Sequence, residues 1–395
     1  MRRTFPAALS AVAVCLTSAL SAALCLSAAT GARAQGAQRD PIVPAVGKPR
    51  VEMVFALDTT GSMGGLIDGA KRKVWYIANE VQKAKQRPEV KVGLVAYRDR
   101  GDAYVTQVLP LTADLDKVYE TLMAYAADGG GDTPEDVNSA LNDALTKMQW
   151  SSGKDTLKMI FLVGDAPAQT YNDTPSWKQT ARAAVRKDIY INTIQCGGDP
   201  ATTTTWKEIA HAAEGRFAQI AQDGGVAVAV VTPFDADLSH LARELDKTYL
   251  TYGAAPERKA KMDTRARAGA LAAAPAMAPV AADRAAAKAS AARSDGDDLV
   301  DLATAKGGAV RALESVSAEA LPDELRGKNA EEQKKIIEGK KTKRELLQRQ
   351  IVELQKKREA HIAAAAKAKP SAKDAFDAEV VDAIHAQAAE AGLSY

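Results

Sequence analysis

The stretch from Val51 to Gly64, VEMVFALDTTGSMG, constrains this chain more than any other. Val51, Met53, Val54, Phe55, Ala56 and Leu57 form a nearly unbroken apolar run, the pattern of a parallel strand buried on both faces. The run stops at Asp58. Thr60 and Ser62 come next at alternate positions, and Gly61 and Gly64 allow a tight bend. Three oxygen-bearing side chains spaced i, i+2 and i+4 past a strand end can converge on one point, which makes a cradle for a hard cation.

Beyond this turn the chain alternates between helical and strand periodicity. Ser62 to about Lys85 carries apolar residues at helical spacing, and Val90–Tyr97 (VKVGLVAY) reads as a second strand. Tyr104–Leu111 is a third strand, placed at a sheet edge because Pro110 cannot donate to a ladder. Helices are expected over Asp114–Tyr125, Glu135–Trp150, Ser176–Lys187, Thr205–Ala213 and Asp235–Tyr249. Strands are expected over Leu157–Val163, Ile189–Ile194 and Arg216–Ile220. The alternation predicts a doubly wound α/β domain with a mostly parallel sheet. Such sheets bind ligands at the carboxyl ends of their strands, and Asp58 and Asp165 each sit at one such end.

Two further pieces join Asp58-Thr59-Thr60-Gly61-Ser62. One is the glycine-rich loop Gly129–Asp136, which includes Asp132, Thr133 and Glu135. The other is Gly164-Asp165-Ala166-Pro167, directly after an apolar strand. Each also has a purely structural reading. Thr133-Pro134-Glu135-Asp136 fits a helix start with Thr as N-cap and Pro in the first turn, Ser62 fits a cap for its own helix, and Gly164–Pro167 fits a turn. Taken together at strand ends, the three pieces resemble the metal-ion-dependent adhesion site of a von Willebrand factor type A (VWA) domain, and the region from Arg50 to Tyr249 resembles that domain. The resemblance implies five metal ligands: Asp58, Thr60 and Ser62 from an Asp-x-Ser/Thr-x-Ser motif, Thr133 from the second loop and Asp165 from the third. It also implies that an acidic side chain of a protein partner fills the ion's open position. All five are hard oxygen donors, suiting Mg²⁺ or Mn²⁺ better than Ca²⁺. Asp132 is expected near the ion without binding it.

Other features add less. Residues 1–34 read as an export signal: Arg2 and Arg3, an apolar run, then Ala32-Arg33-Ala34 as a cleavage pattern, which predicts a periplasmic or secreted protein. An uncleaved anchor is the rival reading. Residues 35–49 read as a linker. With the signal removed, Cys196 is the one cysteine left, expected as a small buried hydrophobe at a strand end. The VWA-like region is taken as 50–253. Residues 254–297 are rich in alanine and proline and read as a flexible linker or a loosely helical spacer, and 298–395 as a helical region. Within it, Lys328–Lys369 carries apolar residues partly in 4-3 spacing, interrupted by Lys340 and Arg344, and suggests an exposed helix pairing in a short hairpin with Phe376–Ala389. Its basic face reads as solvated, with peripheral contact to an anionic membrane as the alternative.

A net charge of +2 gives no electrostatic case for nucleic acid. His211, His240, His361 and His385 show no zinc spacing. Arg100-Gly101-Asp102 is an integrin-recognition tripeptide, read here as a turn. Ser294–Asp301 lacks the glycine placement of an EF-hand calcium loop and reads as a solvated helix start. The functional expectation is an exported, metal-dependent protein-binding protein, not an enzyme. The alternative is a metal-dependent hydrolase using the same ion as Lewis acid, with Glu135 or Asp99 as the base.

Overall fold

The computed structural model describes residues 49–131, 133–153, 155–220, 231–290, 296–368 and 373–395. The signal expected over 1–34 and all but the last residue of the 35–49 linker lie outside the described residues, as does Asp132.

The apolar run becomes β1 (Arg50–Asp58), followed by α1 (Ile67–Gln82), β2 (Glu89–Tyr97), β3 (Thr106–Thr112), α2 (Leu115–Ala124), α3 (Val137–Thr146), β4 (Thr156–Gly164), α4 (Trp177–Val185), β5 (Ile189–Cys196), α5 (Pro200–Ala212) and β6 (Phe217–Ile220). The strands form one sheet in the order β3-β2-β1-β4-β5-β6. β3 is antiparallel to β2 at the edge, and every other pairing is parallel. The expected mostly parallel, doubly wound sheet with flanking helices is therefore observed, and the proline-bearing strand is the edge.

Side chains along β1 alternate between two cores, as the two-residue period of a strand requires. Val51, Met53, Phe55 and Leu57 pack with Val74, Trp75 and Ile77 of α1 and Val118 and Tyr119 of α2. Val54 and Ala56 pack on the opposite face with Leu141 of α3 and Trp206 of α5. Phe55 stacks on Phe161 of the neighbouring strand, with ring centroids 5.1 Å apart. With both faces covered, β1 must end at the sheet's rim, and its last residue, Asp58, is carried there. Cys196, the last residue of β5, is buried as expected, and burial pushes its thiol up.

Beyond α6 (Asp235–Asp246) the segment expected as a flexible linker or loosely helical spacer is helical and tightly packed. Residues 254–297 hold two helices, α7 (Ala255–Ala272) and α8 (Ala278–Ser290), packed on the outer side of α1, α2 and α6. Alanine permits this: Ala281, Ala282, Ala285 and Ala287 are wholly buried, and their short side chains let helices approach closely. α9 (Leu299–Lys306) and α10 (Ala309–Leu313) come next, then the 39-residue α11 (Ala330–Ala368) and α12 (Lys373–Glu390). α11 is exposed along much of its length but buries one face. Ile337, Arg344, Ile351 and Arg358 are seven apart and all buried, so Arg344, expected to break the seam, is part of it. Arg344 bonds Asp298, Asp301 at 2.8 Å, and both the hydroxyl and carbonyl of Thr248. Arg358 bonds Asp235 and Asp283, each at 2.7 Å. Asp298 does start α9, but it is 2 % exposed and paired, so the acidic stretch is not solvated. The hairpin expectation also changes: α12 packs on α1 and β6, with Gln387 and Asn192 exchanging amide bonds. Among the described residues, no helix is long and apolar enough to cross a membrane.

Candidate metal centre

Three loops meet above the ends of β1 and β4, stitched together through their backbones. Gly61 N donates to Gly129 O at 2.9 Å and Asp128 N to Thr59 O at 3.1 Å, tying the first loop to the second. Glu135 N donates to Pro167 O at 3.0 Å and Gln169 N to Glu135 O at 2.7 Å, tying the second to the third. From α5, Thr202 Oγ1 reaches Asp165 O at 3.2 Å and Trp206 Nε1 reaches Ala166 O at 3.1 Å, fixing the third loop from below. Two glycines allow the approach. A Cβ on Gly164 would lie 2.5 Å from Tyr97 Oη and 2.7 Å from Asp58 Cβ, and one on Gly61 would lie 2.7 Å from Gly129 O.

Four of the five expected ligands form one continuous chain of oxygens. Asp58 Oδ1 accepts from Thr60 N at 2.9 Å and from Thr60 Oγ1 at 2.6 Å. Thr60 Oγ1 lies 3.0 Å from Ser62 Oγ, which donates to Asp165 Oδ1 at 2.9 Å. Asp58 and Thr60 are fully buried, whereas Ser62 is exposed, so the chain runs from a buried floor to an open rim. The fifth, Thr133, is exposed on the second loop and forms no hydrogen bond with the other four. It is not a helix cap either: Asp136 caps α3 by accepting from Ser139 N at 2.8 Å. Nor does Ser62 cap α1, which has no side-chain cap.

Glu135 belongs to the site more closely than its sequence position announced. It is 3 % exposed, and a Cβ on Gly130 would sit 3.4 Å from Glu135 Oε1 and 3.2 Å from Thr60 Cβ. In the sequence it stands out only as an acid of the second loop, two residues after Thr133, and as a candidate base. Asp99, the other expected base, instead accepts the Tyr171 hydroxyl at 2.7 and 2.9 Å. Both charges of the Arg-Gly-Asp turn are used internally. Arg100 pairs with Asp173 and lies over the Tyr171 ring, and Asp102 accepts from Gly130 N at 2.9 Å.

The electrostatics disfavour bare carboxylates at this site. Burial pushes the Asp58 carboxyl up to about 7, against the hydrogen bonds from Thr60, with Asp165 adding to the rise. Burial likewise pushes Glu135 up to about 8, helped by Asp58, Asp99, Asp102 and Asp165. Asp165 is raised by its own burial. Asp58 Oδ2 and Glu135 Oε2 are buried without a hydrogen-bond partner. Buried carboxylate oxygens left unpaired are costly unless a cation meets them. No group of three His, Cys, Asp or Glu side chains suited to a metal occurs among the described residues. The donor set here is of a different kind, two carboxylates with hydroxyls, and it suits a hard divalent cation.

Residues 52–232 match the family model of the von Willebrand factor A domain. The α/β part thus has a VWA-like fold, with a helical region after it. Over 97 residues, a quarter of this chain, it is 39 % identical to von Willebrand factor A domain-containing protein 7 of Rattus norvegicus and 37 % identical to that of Homo sapiens. The chain spans about a tenth of the length of these curated relatives, 10 % in each case. Among solved structures, the SpRpn10 VWA domain is similar at 19 % identity, covering 44 % of this chain and 89 % of that one with a TM-score of 0.35. Proximal thread matrix protein 1 from the mussel byssus, with a zinc-occupied MIDAS motif, is similar at 15 % identity, covering 45 % and 43 % with a TM-score of 0.36.

Proposed function

We propose that this protein is an exported, metal-dependent binding protein that captures an acidic side chain of a protein partner through a Mg²⁺-type site at the top of its VWA domain. The observation that supports it most is the open oxygen chain from Asp58 to Asp165, floored by carboxylates with unpaired buried oxygens. In this reading Asp58 and Thr60 form the buried floor, and Ser62, Thr133 and Asp165 form the rim. With only two carboxylates and three neutral hydroxyls as donors, a divalent ion held here would stay electron-poor and offer an open position that a partner carboxylate can fill. The backbone stitching holds the three loops in place before anything binds. VWA domains commonly serve as protein-binding modules, and the helical region would carry the binding event onward.

Panning a random peptide library on the immobilised protein in Mg²⁺, with elution by chelator, tests this. The selected peptides should share an Asp or Glu whose amide counterpart does not bind, and none should bind Asp58→Ala. Selection of peptides without an acid, or binding that survives chelation, would overturn it. A metal-dependent hydrolase is the second reading, favoured by one observation: Glu135 is a buried carboxyl of near-neutral pKa beside the site. Turnover of ester, phosphoester or peptide substrates in Mn²⁺, lost in both Asp58→Ala and Glu135→Gln, would establish it.

A further inference from the structure

The helices beyond the sheet form an open cavity of about 550 Å³ that has no part in the metal site. It lies between α6, α7 and the turn at 322–324, with Lys340 of α11 at one side. Its volume falls in the range of small-molecule sites. Its wall has two characters. Met262, Ala266 and Ala270 of α7, Ala273 just past its end and Pro322 make an apolar lining, and Met262 is 54 % exposed at the mouth. Five basic side chains also line the cavity, against three acidic ones.

Pairing within the fold leaves that basic excess in one place. Arg258 is matched by Asp323 at 3.1 Å, Lys340 by Glu324 at 2.8 Å, and Lys247 by Glu244. Arg265 and Arg243 are not matched in this way. Asp116 and Asp246 are shared by the buried cations Arg284 and Lys288, which already balance them. Arg265 is the third cation on this pair. Its Nε lies 3.4 Å from Asp116 Oδ2 outside hydrogen-bond geometry and is buried without a hydrogen-bond partner, and its Nη1 donates only to the neutral Thr251 hydroxyl, at 3.2 Å. Arg243 bonds Ser239 Oγ at 2.8 Å and meets no carboxylate among the described residues. Tyr249, also on the wall, has Arg265, Lys288 and Arg344 packed over its ring; Lys288 and Arg344 are balanced by their own carboxylates, which leaves Arg265 as the surplus charge there. An apolar chamber with a surplus of guanidinium charge is complementary to a molecule with an apolar body and one anionic head.

Gly269 points the same way. It sits inside α7, where glycine costs about 1 kcal/mol relative to alanine. It faces the cavity, and a Cβ there would meet only Asp246 Oδ2, at 3.9 Å. Nothing in the packing excludes a side chain at this position. What the glycine preserves is open volume.

We propose that this cavity binds a small amphipathic anion, an apolar chain with a single carboxylate or phosphate head, held at the head by Arg265 and Arg243. The assignment is independent of the metal site.

The test is displacement of a fluorescent anionic probe, anilinonaphthalene sulfonate, from the full chain in the presence of chelator. Decanoate or decyl phosphate should displace the probe, and the tighter of the two identifies the head group. Decanol and decyltrimethylammonium should compete at least about tenfold more weakly, the worth of a charge-assisted hydrogen bond. Gly269→Leu, a substitution that favours the helix while filling the chamber, should abolish displaceable binding. Arg265→Gln should weaken anions about tenfold without weakening decanol. Decanol competing as well as decanoate would overturn the proposal, as would a folded Gly269→Leu protein that binds like the wild type.

Discussion

Replacing Asp58 by asparagine keeps the shape of the site and removes a charge that the metal-free protein accommodates poorly. Burial raises the Asp58 carboxyl from its ordinary 3.8 to about 7. A carboxyl whose pKa is higher in the folded state gives stability that is full below its unfolded value and is lost as pH rises through its folded value. Each tenfold in proton affinity is worth about 1.4 kcal/mol, so the whole loss is about 4 kcal/mol, and roughly 3 kcal/mol of it falls between about pH 5 and about pH 8.5. The substituted asparagine does not titrate, and its side-chain oxygen can still accept from Thr60. Urea unfolding of wild type and Asp58→Asn in chelator should therefore show a stability difference that shifts by roughly 3 kcal/mol in favour of the variant over that pH span. Adding Mg²⁺ at the higher pH should recover wild-type stability, by about 2.7 kcal/mol at a hundredfold excess over its dissociation constant, and leave Asp58→Asn unmoved. A stability difference that stays constant with pH would refute the reasoning, because the buried carboxyl would then not be the group that titrates.

Four other substitutions, one of them a control, probe the packing and the site. Gly164→Ala should cost about 1–3 kcal/mol in urea unfolding and weaken metal binding, since its methyl would press on Asp58 and Tyr97. Arg344→Met should cost about 3–5 kcal/mol by stranding Asp298, while Arg349→Met, on the exposed side of the same helix, should stay within about 0.5 kcal/mol. Glu135→Gln should weaken Mg²⁺ binding about tenfold by calorimetry without abolishing it, because the residue adds charge beside the donors and is not one of the five.

The sheet and the three loops were legible in the sequence because their signals are local. Val51–Leu57 is apolar at every position but one, Pro110 marks its own strand as an edge, and the donors cluster within short loops. The second half was not legible for the opposite reason. Arg284 and Lys288 look like surface residues of an alanine-rich spacer until Asp116, 168 and 172 positions away, is seen to hold them. Arg344 breaks an apolar repeat on paper and completes it in the fold, because Asp298 and Asp301 neutralise it. An apolar period reports burial only where burial is apolar, and here a row of helices is fastened by buried ion pairs. At the site itself, Thr133-Pro134 reads as a helix start, but Asp136, a few residues later, competes for the same role and takes it.

The central claim, a divalent cation held by the Asp58–Asp165 loops, is tested most directly by isothermal titration of Mg²⁺ and Mn²⁺ into the full chain beside Asp58→Ala. Saturable binding to a single site, absent in the variant while its fold is retained, is the predicted result. Equal heats in the two proteins, or none in either, would contradict the claim and return the three loops to the role of turns above a packed sheet.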